Sequence, residues 1–141
     1  MPCLEIVMPR EDIEIKRSLA GKLTDAFSNS TGFPGEIFGI HFIEYDIGDT
    51  ASGGDLWDNS AEIPYLHFKL FCPRINRKTK QAVVSSFTET FIKCFGKPEW
   101  KPVIHICEHS YDNVGVNGQL LSDAYEECAD RQFYYDLVDE K

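Results

Sequence analysis

The chain has 141 residues, 43% of them hydrophobic and 26% charged, which favours one globular domain that buries its own core. Its formal net charge of −9 argues against binding nucleic acid or an anionic membrane surface, because both require a basic face. No apolar run approaches the roughly 20 residues of a membrane span.

The five cysteines form no CxxC pair, and three of them lie in apolar, strand-like segments. This usage favours reduced thiols and a cytoplasmic protein. The Cys and His spacings do not fit a zinc site, so no metal is expected. The start of the chain lacks the charged-then-apolar order of a secretion signal, because Glu5 and residues 10–12 interrupt it.

The first third of the chain predicts a β-α-β unit. Residues 2–8 alternate apolar side chains with a period of two, which indicates a strand. Asp12 is a candidate N-cap for a helix from about residue 13, and Gly32 is its candidate end. Residues 37–45 then predict a buried strand. The helix carries one apolar stripe at spacing four, formed by Ile15, Leu19, Leu23 and Phe27.

The same pattern returns later in the chain. At a shift of 64, Pro9-Arg10 falls on Pro73-Arg74, and several residues of the helix and the second strand also coincide. At the start the shift becomes 62, where Pro2 falls on Pro64. The second copy predicts a strand at 65–71, a helix capped by Asn76 and a strand at 103–107. The two repeats span about residues 2–46 and 64–109 of one domain.

The connecting segments are polar. Residues 46–60 are rich in glycine and predict a loop or a hairpin, and residues 114–118 predict a short strand or a turn. The segment of about 119–141 is acidic and aromatic, and predicts an arm that packs on a neighbouring molecule.

A helix between two strands of one sheet implies a parallel, right-handed crossover. Two such units side by side predict an α+β fold, with a four-stranded mixed sheet and both helices on one face. The other face is then bare and apolar, so an oligomer is expected to cover it.

Met1-Pro2, Pro73-Arg74 and Glu108 followed by residues 114–118 resemble the tautomerase superfamily. That group includes 4-oxalocrotonate tautomerase, macrophage migration inhibitory factor, malonate semialdehyde decarboxylase and the cis-3-chloroacrylic acid dehalogenases. The resemblance covers about residues 2–118. It implies a homotrimeric enzyme that needs no cofactor and acts on a small acidic substrate.

The chain also departs from these relatives. Phe27, Phe33, Phe71 and Val116 stand where one or another relative has a polar or charged residue, so the groups that activate water are missing. This argues against hydrolytic dehalogenation. The three phenylalanines are candidates for an apolar substrate pocket.

The resemblance gives Pro2 a catalytic role. Once Met1 is removed, Pro2 carries a secondary amine, and an apolar or cationic setting lowers the pKa of that amine. A neutral amine can take a proton beside a carbonyl and return it elsewhere. Arg74 is the candidate that binds the substrate carboxylate. The alternative is a retained Met1, with Pro2 only beginning a strand.

The start of the second helix is unusually basic, with Arg74, Arg77, Lys78 and Lys80 around its first turn. Cations there oppose the helix dipole, whereas free N–H groups and cations together make a site for an anion. Residues 1–60 carry a net charge of −7 and residues 69–101 a net charge of +6. Arg74 and Arg77 are therefore candidate substrate ligands, and the alternative is that these side chains are simply solvated.

Two further residues are candidates. His105 lies in the last core strand, where relatives carry a Tyr or Asn that contacts substrate. Its repeat counterpart His41 leaves open that both are ordinary strand histidines. Asn117 is a candidate ligand contact at a subunit edge, or a residue selected for the backbone of a turn.

The sequence favours an isomerase that moves a proton between the keto and enol forms of a small 2-oxo acid or a related carboxylate. Two alternatives on the same scaffold are a decarboxylase- or dehalogenase-like lyase or hydratase, and a non-catalytic trimer that binds a protein or ligand. A ferredoxin-like regulatory module is a further possibility, and it predicts no role for Pro2.

Overall fold

The computed structural model describes residues 2–124. In chain order the elements are β1 (Cys3–Pro9), α1 (Ile13–Thr31), β2 (Gly39–Tyr45), β3 (Ala51–Ser52), β4 (Asp55–Leu56), β5 (His67–Pro73), α2 (Arg77–Phe95), β6 (Val103–His109), β7 (Gly115–Val116), β8 (Gln119–Leu120) and α3 (Leu121–Ala124), with 3-10 turns at Gly35–Ile37 and Tyr111–Asn113. Residues 125–141, most of the predicted arm, lie outside the described residues.

The main sheet has the strand order β2-β1-β5-β6. Each β-α-β unit contributes a parallel pair, and the two units join through the antiparallel pair β1–β5. The predicted α+β fold with a four-stranded mixed sheet is therefore confirmed.

Both helices cover the same face of the sheet. Alternate side chains of β1 and β5 share one buried cluster with the apolar stripes of α1 and α2. Burying these side chains supplies the main driving force for the fold. From the strands the cluster includes Leu4, Ile6, Met8, Phe68 and Leu70, and from the helices Leu19, Leu23, Phe27, Val83, Phe87 and Phe91.

The helix ends follow the predicted caps. The Asp12 carboxylate accepts a hydrogen bond from Ile15 N–H at 3.0 Å, and the Asn76 side chain accepts one from Thr79 N–H at 2.9 Å. Gly32 ends α1 at φ +79°, in the left-handed region that favours glycine.

The internal repeat keeps a shift of 64 from its first strand onward. Every main strand and helix of the first unit returns 64 residues later, and so does the hairpin, since β3–β4 maps onto β7–β8. The shift of 62 predicted at the start of the chain is wrong. Pro2 corresponds to Leu66, because the Pro2 carbonyl accepts from Gly39 N–H as the Leu66 carbonyl accepts from Val103 N–H.

The hairpins settle the character of the two connecting segments. The segment 46–60 contains β3–β4, and the segment 114–118 runs from β7 into its turn. Within residues 2–124, no helix is long and apolar enough to cross a membrane.

Candidate active site

One end of the sheet brings together the start of β1 and the end of β5. Cys3 is opposite Phe71 in the antiparallel pair, so Pro2, one residue earlier, comes opposite Cys72. Cys72 is in turn paired with Glu108 of β6. Pro2 is buried. We call this end of the sheet the proline end.

Arg74 and Lys80 converge on Glu108 at the proline end. The Lys80 Nζ donates to Glu108 Oε1 at 2.7 Å, and the Arg74 Nε lies 3.7 Å from Glu108 Oε2. All three side chains are partly buried, with 24% to 31% of their surface exposed. A partly buried Arg beside the first residues of the chain can present its planar guanidinium to a carboxylate.

The opposite end of the sheet provides an internal comparison. There Lys16 Nζ donates to Glu44 Oε1 at 2.9 Å, which repeats the Lys80–Glu108 pair. The arginines differ, because Arg10 is 65% exposed and pairs with Asp46. The Lys–Glu pair is therefore part of the repeated scaffold, whereas the inward position of the second arginine is particular to the proline end.

The start of α2 is basic in the structure, as its sequence predicts. Its first turn contains no acidic residue, whereas the first turn of α1 contains Glu14. An open cavity of about 380 Å³ lies along this helix, lined by Arg77, Lys80, Gln81, Val84 and Ser85. Lys78 is exposed to solvent.

The three candidate phenylalanines differ in their burial and in their position in the fold. Phe27 is fully buried, and its ring stacks on Phe38 with centroids 4.2 Å apart. Phe33 is 8% exposed and also stacks on Phe27, with centroids 5.9 Å apart. Phe71 is half-buried on the face away from the helices. Phe27 therefore offers no surface to a ligand within the protomer, because it serves the core.

The structure does not bring His105 to Pro2 within one protomer. Its neighbours Ile104 and Ile106 pack against the core, so His105 faces the side of the sheet without helices. There its Nδ1 lies 2.7 Å from His67 Nε2. His41 remains the repeat counterpart of His105, 64 residues earlier, and His67 is the histidine that His105 contacts.

Asn117 occupies a turn that depends on its backbone conformation. Its φ is +55°, and the following Gly118 has φ +80°. The corresponding turn of the first unit uses Gly53 and Gly54, both with positive φ. Asn tolerates this region better than most residues, which explains the choice of Asn here.

Two residues of the site region were not singled out from the sequence. Cys72 is fully buried, and burial raises the pKa of its thiol to about 12, so it stays protonated. His109 ends β6 with a buried Nε2 atom. The repeat alignment could have drawn attention to His109, because at a shift of 64 it corresponds to Tyr45, a different kind of residue. Within residues 2–124, no three His, Cys, Asp or Glu side chains are placed to hold a metal ion.

Comparisons with known proteins agree with this architecture. Residues 64–124 match the family model for tautomerase enzymes. No curated protein gives a significant match to the chain.

Three solved structures show the relation to the whole fold. A native fused 4-OT is 21% identical, with a TM-score of 0.78 over 86% of this chain and 97% of its own. A second fused 4-OT, an asymmetric trimer, is 22% identical, with a TM-score of 0.76 over 86% and 98% of the two chains. The FG41 malonate semialdehyde decarboxylase is 18% identical, with a TM-score of 0.71 over 90% and 98%.

At these identities the structural likeness establishes the fold, which is the duplicated β-α-β architecture of the tautomerases. The family match itself lies on the second unit, residues 64–124.

The repeated Lys–Glu pair is expected to stabilise the fold in a pH-dependent way. Burial opposes ionisation of Glu44, but hydrogen bonds from Glu11 N–H and from Lys16 outweigh it and lower the pKa of this carboxyl. Its stabilising effect is therefore present above the ordinary carboxyl pKa and is lost as the pH falls through the folded-state value. Lys16→Met is expected to lower the free energy of unfolding by about 1 kcal/mol at pH 7.

Urea unfolding at pH 7 and at about pH 3 measures this difference, which is expected to shrink as the pH falls and Glu44 becomes protonated. Arg17→Met is the control, because the Arg17–Glu14 pair is exposed and is expected to contribute little. A Lys16→Met effect that persists unchanged at about pH 3 contradicts the assignment.

Proposed function

We propose that the protein is a tautomerase that moves a proton between the keto and enol forms of a small 2-oxo acid or related carboxylate. The observation that carries the proposal is the arrangement at the proline end. There the buried Pro2 lies opposite Cys72, and Cys72 is paired with Glu108. Glu108 in turn pairs with Arg74 and Lys80. The match of residues 64–124 to the family model for tautomerase enzymes supports an enzymatic role.

The proposed base is the secondary amine of Pro2, freed by removal of Met1. Burial at the start of β1 and the nearby cations disfavour the charged ammonium, so the pKa of the amine is expected to lie below its ordinary value. The neutral nitrogen takes the proton from the enol oxygen. As the carbonyl forms, the electron pair of the C=C bond takes the same proton back from the prolinium at the adjacent carbon.

Arg74 is the proposed carboxylate ligand. Its guanidinium matches a carboxylate in two parallel hydrogen bonds and also balances the negative charge that develops on the enolate. Glu108 orients Arg74 from one side. Arg77 and the cavity beside it extend the cationic surface along α2, and Phe33, Phe71 and Asn117 remain candidates for substrate contacts.

We infer that the active protein is a homotrimer, as described for the fused 4-OT it resembles. The side of the sheet without helices exposes Ile43 and Val103, each at 44%, and a neighbouring copy covers these side chains in the proposed trimer. A role of His105 at a proline site then requires a neighbouring copy. The free thiols of the described cysteines accord with a reducing, cytoplasmic setting.

A lyase on the same scaffold is the second candidate, favoured by the likeness to the FG41 decarboxylase. Product analysis separates the two, because a decarboxylase releases carbon dioxide and a tautomerase conserves the mass of its substrate. A non-catalytic trimer is the outcome if neither product forms.

Pro2→Ala is expected to lower kcat/KM for the enol-to-keto conversion of phenylpyruvate by about 100-fold or more, because it replaces the positioned secondary amine. The conversion is followed by the loss of enol absorbance. Pro64→Ala is the control and is expected to retain full turnover, since Pro64 is not the structural counterpart of Pro2. Unchanged turnover in Pro2→Ala contradicts the proline mechanism.

Arg74→Gln is expected to raise KM for a 2-oxo acid by about 10-fold or more, through the loss of a charge-assisted pair with the carboxylate. Steady-state kinetics measures the effect. Arg10→Gln is the matched control from the other end of the sheet, and its KM is expected to stay within about twofold. Equal effects of the two substitutions would show that general charge, rather than a site, binds the substrate.

Ile43→Glu or Val103→Glu is expected to break the trimer into smaller species, because each places a charge in the proposed interface. Light scattering coupled to size exclusion measures the mass. Ile13→Glu is the control, since Ile13 is 65% exposed at the start of α1, on the helix side of the sheet. A trimer that survives both interface substitutions argues for a different contact surface.

A further inference from the structure

His109 presents a buried ring nitrogen that lacks a partner. Its Nε2 atom is shielded from solvent and makes no hydrogen bond with any residue between 2 and 124. Its other ring nitrogen, Nδ1, lies 3.4 Å from the backbone carbonyl of Ser110. Because a carbonyl only accepts, Nδ1 carries the hydrogen in the neutral ring, and Nε2 is left with a lone pair. The natural partner of this nitrogen is therefore an N–H or O–H donor.

The ring stays neutral around pH 7. Burial lowers the pKa of His109 below that of a free imidazole, although the Ser110 carbonyl opposes the shift. A buried acceptor without a donor costs free energy, so its presence requires an explanation.

The internal repeat indicates where Nε2 points. At a shift of 64, His109 corresponds to Tyr45, and Pro2 corresponds to Leu66. The Tyr45 hydroxyl donates to the carbonyl of Tyr65, which is bonded directly to the nitrogen of Leu66. Burial raises the pKa of Tyr45 to about 12, so the hydroxyl remains a donor. The same backbone placement at the other end directs the side chain of His109, which is shorter than tyrosine, toward the position next to the nitrogen of Pro2.

The strand register agrees with this placement. His109 is opposite Pro73 in the β5–β6 pair, and Pro73 follows Cys72, which lies opposite Pro2. Because β5 lies between β6 and β1, these two strands are about 10 Å apart, and an imidazole from β6 covers about half of that distance toward the start of β1.

We propose that His109 is a positioning residue for the Pro2 amine, whose N–H donates to His109 Nε2. This proposal rests on the proposed function, because only a free Pro2 has that N–H. The hydrogen bond fixes the orientation of the Pro2 nitrogen, so that the lone pair of this nitrogen faces the substrate. When the amine takes the substrate proton, the prolinium has two N–H groups. One stays on His109, and the other returns its proton to the substrate carbon, so His109 remains neutral throughout.

The pKa of the Pro2 amine measures this contact directly. The mature, full-length protein is prepared with ¹⁵N-proline, and the amine is titrated by NMR. An acceptor stabilises the protonated amine, so His109→Phe is expected to lower the pKa of the amine by about one unit, together with about a tenfold fall in kcat. His109→Gln, whose side-chain oxygen replaces Nε2 as an acceptor, is expected to restore most of both.

Tyr45→Phe is the matched control. It removes the corresponding hydrogen bond at the other end of the sheet, so it is expected to leave the amine pKa and kcat unchanged even if it lowers stability. An unchanged amine pKa in His109→Phe overturns the role of His109, and so does a retained Met1.

If His109→Phe does not fold, wild-type protein with ¹⁵N-histidine decides the question. The Nε2 resonance must then shift as the amine titrates, and a resonance that stays constant overturns the proposal. The proposed function fails separately, if Pro2→Ala keeps full turnover while the His109 contact is present.

Discussion

The antiparallel pairing of β1 with β5 is the constraint on which the rest of the molecule depends. It joins two β-α-β-hairpin units that repeat at a shift of 64, so that the two ends of the sheet have the same scaffold. Each end has a capped helix, a Lys–Glu pair and a strand whose first residue follows a buried position. Only one of these ends coincides with Pro2, so a nearly symmetric chain has a single proline end.

Function in this account lies in the differences between the two ends rather than in the fold. A shared feature, such as Lys16–Glu44 repeated as Lys80–Glu108, is explained by the scaffold alone. The differences concentrate around the proline. At the other end, Leu66 and Tyr45 stand in place of Pro2 and His109, and the counterpart of the partly buried Arg74 is the exposed Arg10. A proton-transfer site requires a base, a carboxylate ligand and a group that orients the base, and these three differences supply candidates for each.

Local sequence patterns were sufficient to predict most of the fold. The stripe ending at Phe27 and the caps at Asp12 and Asn76 predict both helices, because helix periodicity and capping are local. The chance meeting of Pro2 with Pro64 suggested a false shift of 62. Strand pairing, which sequence identity does not report, fixes the shift at 64.

The site was less accessible to prediction, because it depends on distances across strands. Phe27 looked like a pocket residue from its alignment, yet the core between α1 and the sheet buries it completely. The partner of His105 is His67 on the neighbouring strand, 38 residues away in sequence.

The proposed chemistry depends on a free amine at Pro2, and the mass of the mature N-terminus in protein from its native source measures this. The proline mechanism requires a chain that begins at an unmodified Pro2, and a retained Met1 or an acylated proline contradicts it.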